Sequence, residues 1–456
     1  MRGLADELVG AVAVLHVRAF LQHLRSKRML KRGGKVCVGL DYRVSSPALR
    51  ANVQQALAAE GMSEIYYGAV PTPALAFEAL RKKRPALMIT GSHIPADRNG
   101  LKFYRPDGEI TKADETAILA RLAKLKPALP GVVVSATGDT KNFMLRYAQA
   151  FAGKPLKGMR VGVYQHSSTA RDMLVDVLVK AGATVQALGR SDAFIAVDTE
   201  AVAPETALLL RRWCVAGAYD AVVSADGDGD RPLIADEKGR ILRGDLVGLI
   251  TARYLRARTV VTPVTSNSGL DKYLPKGVRR AKVGSPYVIA EMQGAKRRGA
   301  SAIVGFEANG GFFTASRFKA GRGVLTPLPT RDCFLPILAV LACAKKAKLP
   351  LSAYATSFAL PVALADRLEH FPVERSAALM QRLARRLEAV QFFEAFGMVK
   401  SFNRKDGLRA LFVDGSLIHL RPSGNAPEFR CYIEAVTQAR AELLLAKVMG
   451  RIAQER

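Results

Sequence analysis

The sequence predicts an α/β protein of four domains: three similar α/β units with mixed sheets, then a C-terminal α+β domain. Two observations carry this. Short apolar runs that feed amphipathic stretches recur in cycles over most of the chain, the pattern of strands alternating with helices. The last hundred residues break that alternation, with strand-like runs following one another between two long amphipathic stretches. A chain of 456 residues with 49% hydrophobic content and mean hydropathy of +0.07 is long and apolar enough for several cores.

The elements follow in order. LVGAVAVLHVRAFL is interrupted by His16 and Arg18 and preceded by Asp6 and Glu7, so it reads as a buried amphipathic helix and not as a signal peptide or membrane span. KVCVGLD is a strand, and SSPALRANVQQALAAEG a helix with a glycine stop. EIYYGAV and ALMIT are strands that flank the helix TPALAFEALRKKR. A second cycle runs from the strand GMRVGVYQHSS through the helix TARDMLVDVLVKAGA to the strand TVQALG, and closes in YDAVVSADGDGDRPLIADEKG. A third opens at ARTVVTPVTSN, a strand then a helix, and contains the strand SAIVGFEANG. In the last domain one continuous helix is expected over SAALMQRLARRLEAVQ. The strands MVKSFNR, LRALFVDG, SLIHLRPSG and FRCYIEA of an antiparallel sheet follow, then the helix TQARAELLLAKVMGRIAQ. Pro- and Gly-rich joints divide the chain at 1–135, 136–243, 244–358 and 359–456.

The formal charge of +28 attracts anions: nucleic acid, a membrane surface or phosphorylated metabolites. The basic residues come in short bursts (RSKRMLKR, RKKR, KKAK) without interleaved aromatics, which reads as solvated surface and argues against nucleic acid and membrane as partners. The five cysteines are scattered, with no CxxC pair, and sit mostly in apolar runs. They read as core residues of a reducing, cytoplasmic location.

Four loops carry candidate chemistry. In TGSHIPADRNGLKF, Ser92 follows an apolar strand with His93 beside it and Lys102 further on. Taken alone, Ser92 is either a loop hydroxyl or a nucleophile. In ADGDGDR, Asp226, Asp228 and Asp230 alternate with glycines after a buried strand, so they either form an exposed acidic turn or converge on a hard divalent cation. An EF-hand is excluded, because no glutamate closes the loop and the chain runs on into PLIA. Three carboxylates would leave room for a phosphate oxygen and water, which suits Mg²⁺. In VGFEANGGFF, Glu307 and Asn309 are either part of a glycine-rich turn or readers of sugar hydroxyls. In RPSGNAPEFR, Arg421, Ser423, Gly424, Asn425 and Arg430 form a turn, or a clamp whose hydroxyl, amide and guanidinium groups favour phosphate.

In the order and spacing of these loops the chain resembles the α-D-phosphohexomutase family, which includes phosphomannomutases and phosphoglucomutases, and the resemblance spans essentially its whole length. It implies an active site in a central cleft. Ser92 would be the phosphorylated serine, His93 and Lys102 the acid/base candidates, and Asp226, Asp228 and Asp230 the Mg²⁺ ligands together with Ser92, with Arg231 following them into the site and Arg2 among the catalytic residues. VGFEANGGFF would be the sugar-specificity loop and RPSGNAPEFR the phosphate-binding loop. GLDYRVSSP resembles the family's G-x-D-x-R-x-S element, which adds Arg43 as a phosphate contact, and AKVGSPYV places Lys282 and Gly284 near substrate. The implied activity interconverts hexose 6-phosphate and hexose 1-phosphate, mannose before glucose, through a bisphosphorylated sugar, with hexose 1,6-bisphosphate as activator. The rivals are a phosphoglucosamine mutase and a catalytically impaired phosphosugar-binding paralogue.

Three departures stand out. The family's F-G-T-S-G-x-R-G element is matched only by Arg2 and Gly3, so an N-terminal edge strand is expected to be missing. Ile94 replaces the asparagine after Ser-His. The sugar loop, usually G-E-x-S-G-H, keeps Glu307 but has Asn309 and Gly311 where serine and histidine are the rule.

Overall fold

A computed structural model of the chain describes residues 1–126, 131–274, 278–423 and 427–455. Contacts group into two compact units, 1–261 with 285–357, and 262–284 with 358–456. The fold is the mixed α/β architecture expected, with an α+β C-terminal part.

The first unit holds three mixed sheets. In the first sheet the strands stand in the order Arg2–Leu4, Arg98–Arg105, Ala86–Ile89, Lys35–Leu40, Ser63–Ala69, Ser135–Thr137. The middle strands Ala86–Ile89, Lys35–Leu40 and Ser63–Ala69 are parallel, and the first two are almost wholly buried, which is why they read as unbroken apolar runs. All four side chains of Ala86–Ile89 are fully buried, worth roughly 1.5–3 kcal/mol for each large one. Arg98–Arg105 then returns antiparallel. Helix Ala11–Ser26 packs its apolar stripe, Val14, Val17, Phe20, Leu21 and Leu24, into the core beneath this sheet. Where an edge strand was expected to be missing, Arg2–Leu4 forms one of three residues, because its backbone pairs antiparallel with Arg98–Gly100.

The second sheet runs Pro232–Asp236, Ala221–Ala225, Arg160–His166, Thr184–Arg190, the last three parallel and the first antiparallel. In the third, Thr259–Val261 pairs parallel with Ile303–Gly305, and the hairpin into Phe312–Thr314 continues to Leu328–Asp332. Each candidate loop of this unit leaves the end of a buried strand, the usual position for a site in such sheets.

In the second unit five antiparallel strands stand in the order Val362–Leu368, Phe429–Ala435, Leu417–Pro422, Leu408–Phe412, Val399–Asn403, covered by helices. The single helix expected over 376–391 is two, Val373–Ala384 and Arg386–Phe393, broken where Arg385 takes an extended backbone with ψ of 131°. The break lets Leu379 and Leu383 of one helix and Phe392 and Phe393 of the next all reach the same core. The helix expected after strand 259–263 is only the 3₁₀ segment Ser268–Tyr273, which closes before Pro275. All five cysteines are free thiols, four of them buried.

Candidate active site

Strand Ala86–Ile89 gives way to Thr90 and Gly91, and Ser92 follows with φ of +56°, a left-handed backbone uncommon for serine. Neighbours hold it there. Its N–H donates to the Thr90 hydroxyl at 2.7 Å, and Thr90 Oγ1 donates in turn to Asp41 Oδ2 at 2.7 Å. The Ser92 hydroxyl, fully buried, donates to Asp226 Oδ2 at 2.5 Å and lies 3.3 Å from His93 Nδ1.

Arg43 corrects an expectation. It was read as a phosphate contact, but its guanidinium donates to the loop carbonyls of Ser92 (3.0 Å), Ile94 (2.6 Å), Pro95 (2.5 Å) and Arg98 (2.8 Å), and to Asp41 at 3.2 Å. It is 2% exposed and lies 4.0 Å from the centre of the Phe194 ring. Arg43 is therefore a buried clamp on the serine loop. Desolvation lowers its pKa, and Asp41 works against that fall.

Asp226, Asp228 and Asp230 are all buried, and one carboxylate oxygen from each lies within 4.8 Å of the others. The loop is fixed from several sides. Asp226 Oδ1 accepts the backbone N–H groups of Asp230 (3.0 Å) and Arg231 (3.1 Å). The Ser168 hydroxyl donates to the Asp226 carbonyl at 2.7 Å, and His166 Nε2 bonds the Ala225 carbonyl at 2.8 Å. Thr72, the first residue of helix Thr72–Arg81, donates its N–H to the Asp228 carbonyl at 2.8 Å and its hydroxyl to Asp228 Oδ2. Lys102 Nζ reaches Asp228 Oδ2 at 2.5 Å and Asp230 Oδ2 at 2.6 Å.

Two oxygens stand apart from this network. Asp228 Oδ1 and Asp230 Oδ1 are buried and accept no hydrogen bond. Buried carboxylate oxygens are costly to leave alone, and a small hard cation fits this all-oxygen set. The electrostatics agree. Burial first, then Asp230 and Asp228, push the Asp226 carboxyl up to about 8. Asp230 is held well below the carboxylate range, against its own desolvation, by Arg331, Lys102 and Arg231.

Burial and then Arg231 pull the His93 imidazole down to about 3, so it is neutral at pH 7. Arg231 Nη1 faces His93 Nε2 at 3.5 Å, and a guanidinium can only donate, so the imidazole proton sits on Nδ1 and points at Ser92 Oγ. Arg2 reaches solvent from the edge strand. Desolvation by the protein around it, then Arg231 and Arg331, nevertheless lower its pKa.

Glu307 and Asn309 are both buried in the loop between Ile303–Phe306 and Phe312–Thr314. Asn309 Oδ1 accepts the Gly311 N–H at 3.0 Å, so that oxygen closes its own loop. Glu307 is held by Arg331, which also donates to Asp230.

The remaining candidates belong to the second unit. Arg421 and Arg430 stand opposite one another across Leu417–Pro422 and Phe429–Ala435. Asp406 lies 3.3 Å from Arg421 Nε, and Glu428 accepts from Arg430 at 2.9 Å. Two guanidinium groups in register repel unless anions lie between them. Ser423 donates its N–H to the Glu428 carbonyl at 2.8 Å. Lys282 is exposed, and Gly284 has φ of +120°. Gly424 and Asn425 lie outside the described residues.

Thr72, Arg331, Asp41, Ser168 and His166 were not found from the sequence. Thr72 had a signal in the helix opener P-T-P, and Arg331 a weaker one as an arginine beside Asp332 at the end of an otherwise apolar stretch.

Over 455 residues the chain is 47% identical to a phosphomannomutase of Sinorhizobium fredii, covering 98% of this chain and 96% of the relative. It is 40% identical over 456 residues to a phosphomannomutase of Salmonella muenchen, covering 99% and 94%. A crystal structure of a phosphoglucomutase/phosphomannomutase family protein from Burkholderia thailandensis shares the fold, with a TM-score of 0.76 at 20% identity over 100% of this chain and 95% of that one. The class is thus an enzyme, an isomerase of the phosphohexomutase type. The chain belongs to the phosphoglucomutase/phosphomannomutase family, whose models match as alpha/beta/alpha domain I over residues 1–128, alpha/beta/alpha domain III over 243–360, and the C-terminal domain over 368–451. Among the described residues, no helix is long and apolar enough to cross a membrane.

Proposed function

We propose that this chain interconverts mannose 6-phosphate and mannose 1-phosphate, with glucose phosphates as secondary substrates, by way of phospho-Ser92 and a bisphosphorylated hexose. The observation that carries this reading is the Ser92 hydroxyl 2.5 Å from Asp226 in a carboxylate trio with two orphaned oxygens. Asp226, Asp228 and Asp230 would hold Mg²⁺, which when bound neutralises charge on the transferring phosphoryl group. The full-length relatives named phosphomannomutase support mannose as the hexose.

In the forward half-reaction the free hydroxyl oxygen of the hexose phosphate bonds to phosphorus as the bond from Ser92 Oγ breaks. The hydroxyl proton passes to a base and Ser92 Oγ recovers one, so protons balance. Lys102 and His93 are the site's groups for that exchange, with His93 Nδ1–H also steadying Ser92 Oγ. Arg2 and Arg231 add positive charge for the transferring group. The bisphosphate then turns about and returns its other phosphate to Ser92. Glu307 and Asn309 would read the sugar hydroxyls, with Lys282 and Gly284 near substrate, while Arg421, Ser423, Gly424, Asn425 and Arg430 would hold the phosphate not being transferred. Each of the four domains, 1–135, 136–243, 244–358 and 359–456, would carry one of these loops. Hexose 1,6-bisphosphate would prime Ser92, and the free thiols support a reducing, cytoplasmic setting.

Intact mass after incubation with glucose 1,6-bisphosphate tests the reading. A single phosphate mapping to Ser92, lost on adding mannose 1-phosphate with Mg²⁺, is expected, and Ser92→Ala should take up none. Near-full mutase activity in Ser92→Ala would overturn it.

A further inference from the structure

We propose that Arg331 couples the cation site to the sugar loop, as a positioning residue that holds Asp230 and Glu307 in one guanidinium. The inference rests on reading the aspartate trio as the cation site and Glu307 as a sugar contact.

The geometry is direct. Arg331 Nε and Nη2 donate to Asp230 Oδ2 at 3.0 and 2.7 Å, and Nη1 donates to Glu307 Oε2 at 2.9 Å. The guanidinium is planar and its donors diverge at fixed angles, so the positions of the two carboxylates are linked. The side chain has little freedom to let go. It is 12% exposed, and it extends from strand Leu328–Asp332, which is pinned by antiparallel pairing to Phe312–Thr314. Glu109 also lies in its field, held by the Thr330 hydroxyl at 2.7 Å and the Ser285 hydroxyl at 3.2 Å. The sugar loop is cut to fit this arginine, since a Cβ on Gly311 would meet Arg331 Cδ at 2.5 Å.

Asp230 offers its two oxygens to different partners. Oδ2 takes Arg331 and Lys102, whereas Oδ1 accepts no hydrogen bond, with Arg231 Nε 3.7 Å away, and is the oxygen open to a cation. Any shift of Asp230 as a cation binds is transmitted through the guanidinium to Glu307, whose carboxylate accepts sugar hydroxyls. By reciprocity, a sugar drawing on Glu307 alters cation affinity by the same factor. Hexose discrimination and cation affinity are therefore set together.

The test is a double-mutant cycle on the full chain. Mn²⁺ binding is followed by electron paramagnetic resonance and calorimetry for wild type, Glu307→Gln, Arg331→Gln and the double variant. Arg331→Gln should weaken Mn²⁺ roughly 10-fold, the usual loss for an outer partner of a metal ligand. Glu307→Gln should shift Mn²⁺ affinity about threefold, and that shift should vanish in the Arg331→Gln background. Arg331→Gln should also change the ratio of kcat/KM for mannose 1-phosphate over glucose 1-phosphate, mainly through KM, which loss of stability alone would not do. Arg331→Lys, which keeps the charge without the fork, should lose the coupling and covers the case in which the glutamine variant fails to fold. Wild-type Mn²⁺ affinity in Glu307→Gln, or a Glu307→Gln shift that persists without Arg331, overturns the proposal. A wild-type chain that binds Mn²⁺ but turns over neither sugar overturns the functional reading instead, and the Mn²⁺ cycle still decides the coupling.

Discussion

Thr72 grips Asp228 at both ends of the aspartate: its backbone N–H donates to the Asp228 carbonyl at 2.8 Å and its hydroxyl to the carboxylate. The contact is made possible by the helix start, because N–H groups in the first helical turn have no partner within the helix. Thr72→Val keeps the shape and the N–H but removes the hydroxyl. Asp228 then turns more freely, and cation affinity should fall roughly 10-fold while Thr72→Ser stays near wild type. Calorimetric titration with Mn²⁺ checks this, and equal affinities in valine and serine variants would count against the role.

Arg43 should behave as a structural residue and not as a substrate contact. Removing it in Arg43→Ala strands four loop carbonyls and leaves Asp41 buried without its cation. A cost of about 3–5 kcal/mol is expected for breaking a buried pair, read as a shift of the urea midpoint. Where the variant is folded, KM for mannose 1-phosphate should change less than kcat, because the serine loop is displaced while the phosphate contacts survive.

The contrast between Ser92 and Arg43 shows what was legible. Ser92, the aspartate trio and Glu307 each follow a buried apolar strand directly, so strand periodicity alone marks where they emerge. Arg43 also follows a strand, and its type favours phosphate, yet what it binds depends on backbone carbonyls some fifty residues away, which no local pattern encodes. Arg331 and Thr72 were missed for the same reason, since their partners lie 101 and 156 residues off in sequence. The broken helix at Arg385 is a tertiary override: the amphipathic period continues through it, and packing on the shared core decides otherwise.

Two buried histidines give the protein a defined acid limb. Burial lowers His166 and His419 to about 4 each, and their Nε2 atoms bond the carbonyls of Ala225 at 2.8 Å and Asp406 at 2.6 Å. A folded pKa below the unfolded value means the unfolded chain takes up the proton first. The stabilisation is thus complete above about pH 6.5 and drains away as pH falls toward 4. His419 alone should contribute about 3 kcal/mol to this loss. His419→Gln should flatten the pH dependence of the urea midpoint between these limits, and an unchanged slope would remove His419 from the account.

Gly244 opens the helix Gly244–Tyr254 against the sugar loop, and its missing side chain is a requirement of that contact. A Cβ there would meet Gly310 N at 2.2 Å and the Ala308 carbonyl oxygen at 2.4 Å, both backbone atoms that no rotamer change can move aside. In Gly244→Ala the loop must therefore shift as a body. Glu307 and Asn309 shift with it, and through Arg331 part of that shift reaches Asp230, while Ser92 belongs to another loop. The expected result is an intact capacity to phosphorylate Ser92 from glucose 1,6-bisphosphate, with KM for the hexose phosphate raised several-fold. A typical overpacking cost of about 1–3 kcal/mol should accompany it. Parallel mass spectrometry and steady-state kinetics separate the two effects. Loss of Ser92 phosphorylation in a folded Gly244→Ala protein would mean that the sugar loop shapes the phosphorylation site itself, so that no change there leaves the serine untouched.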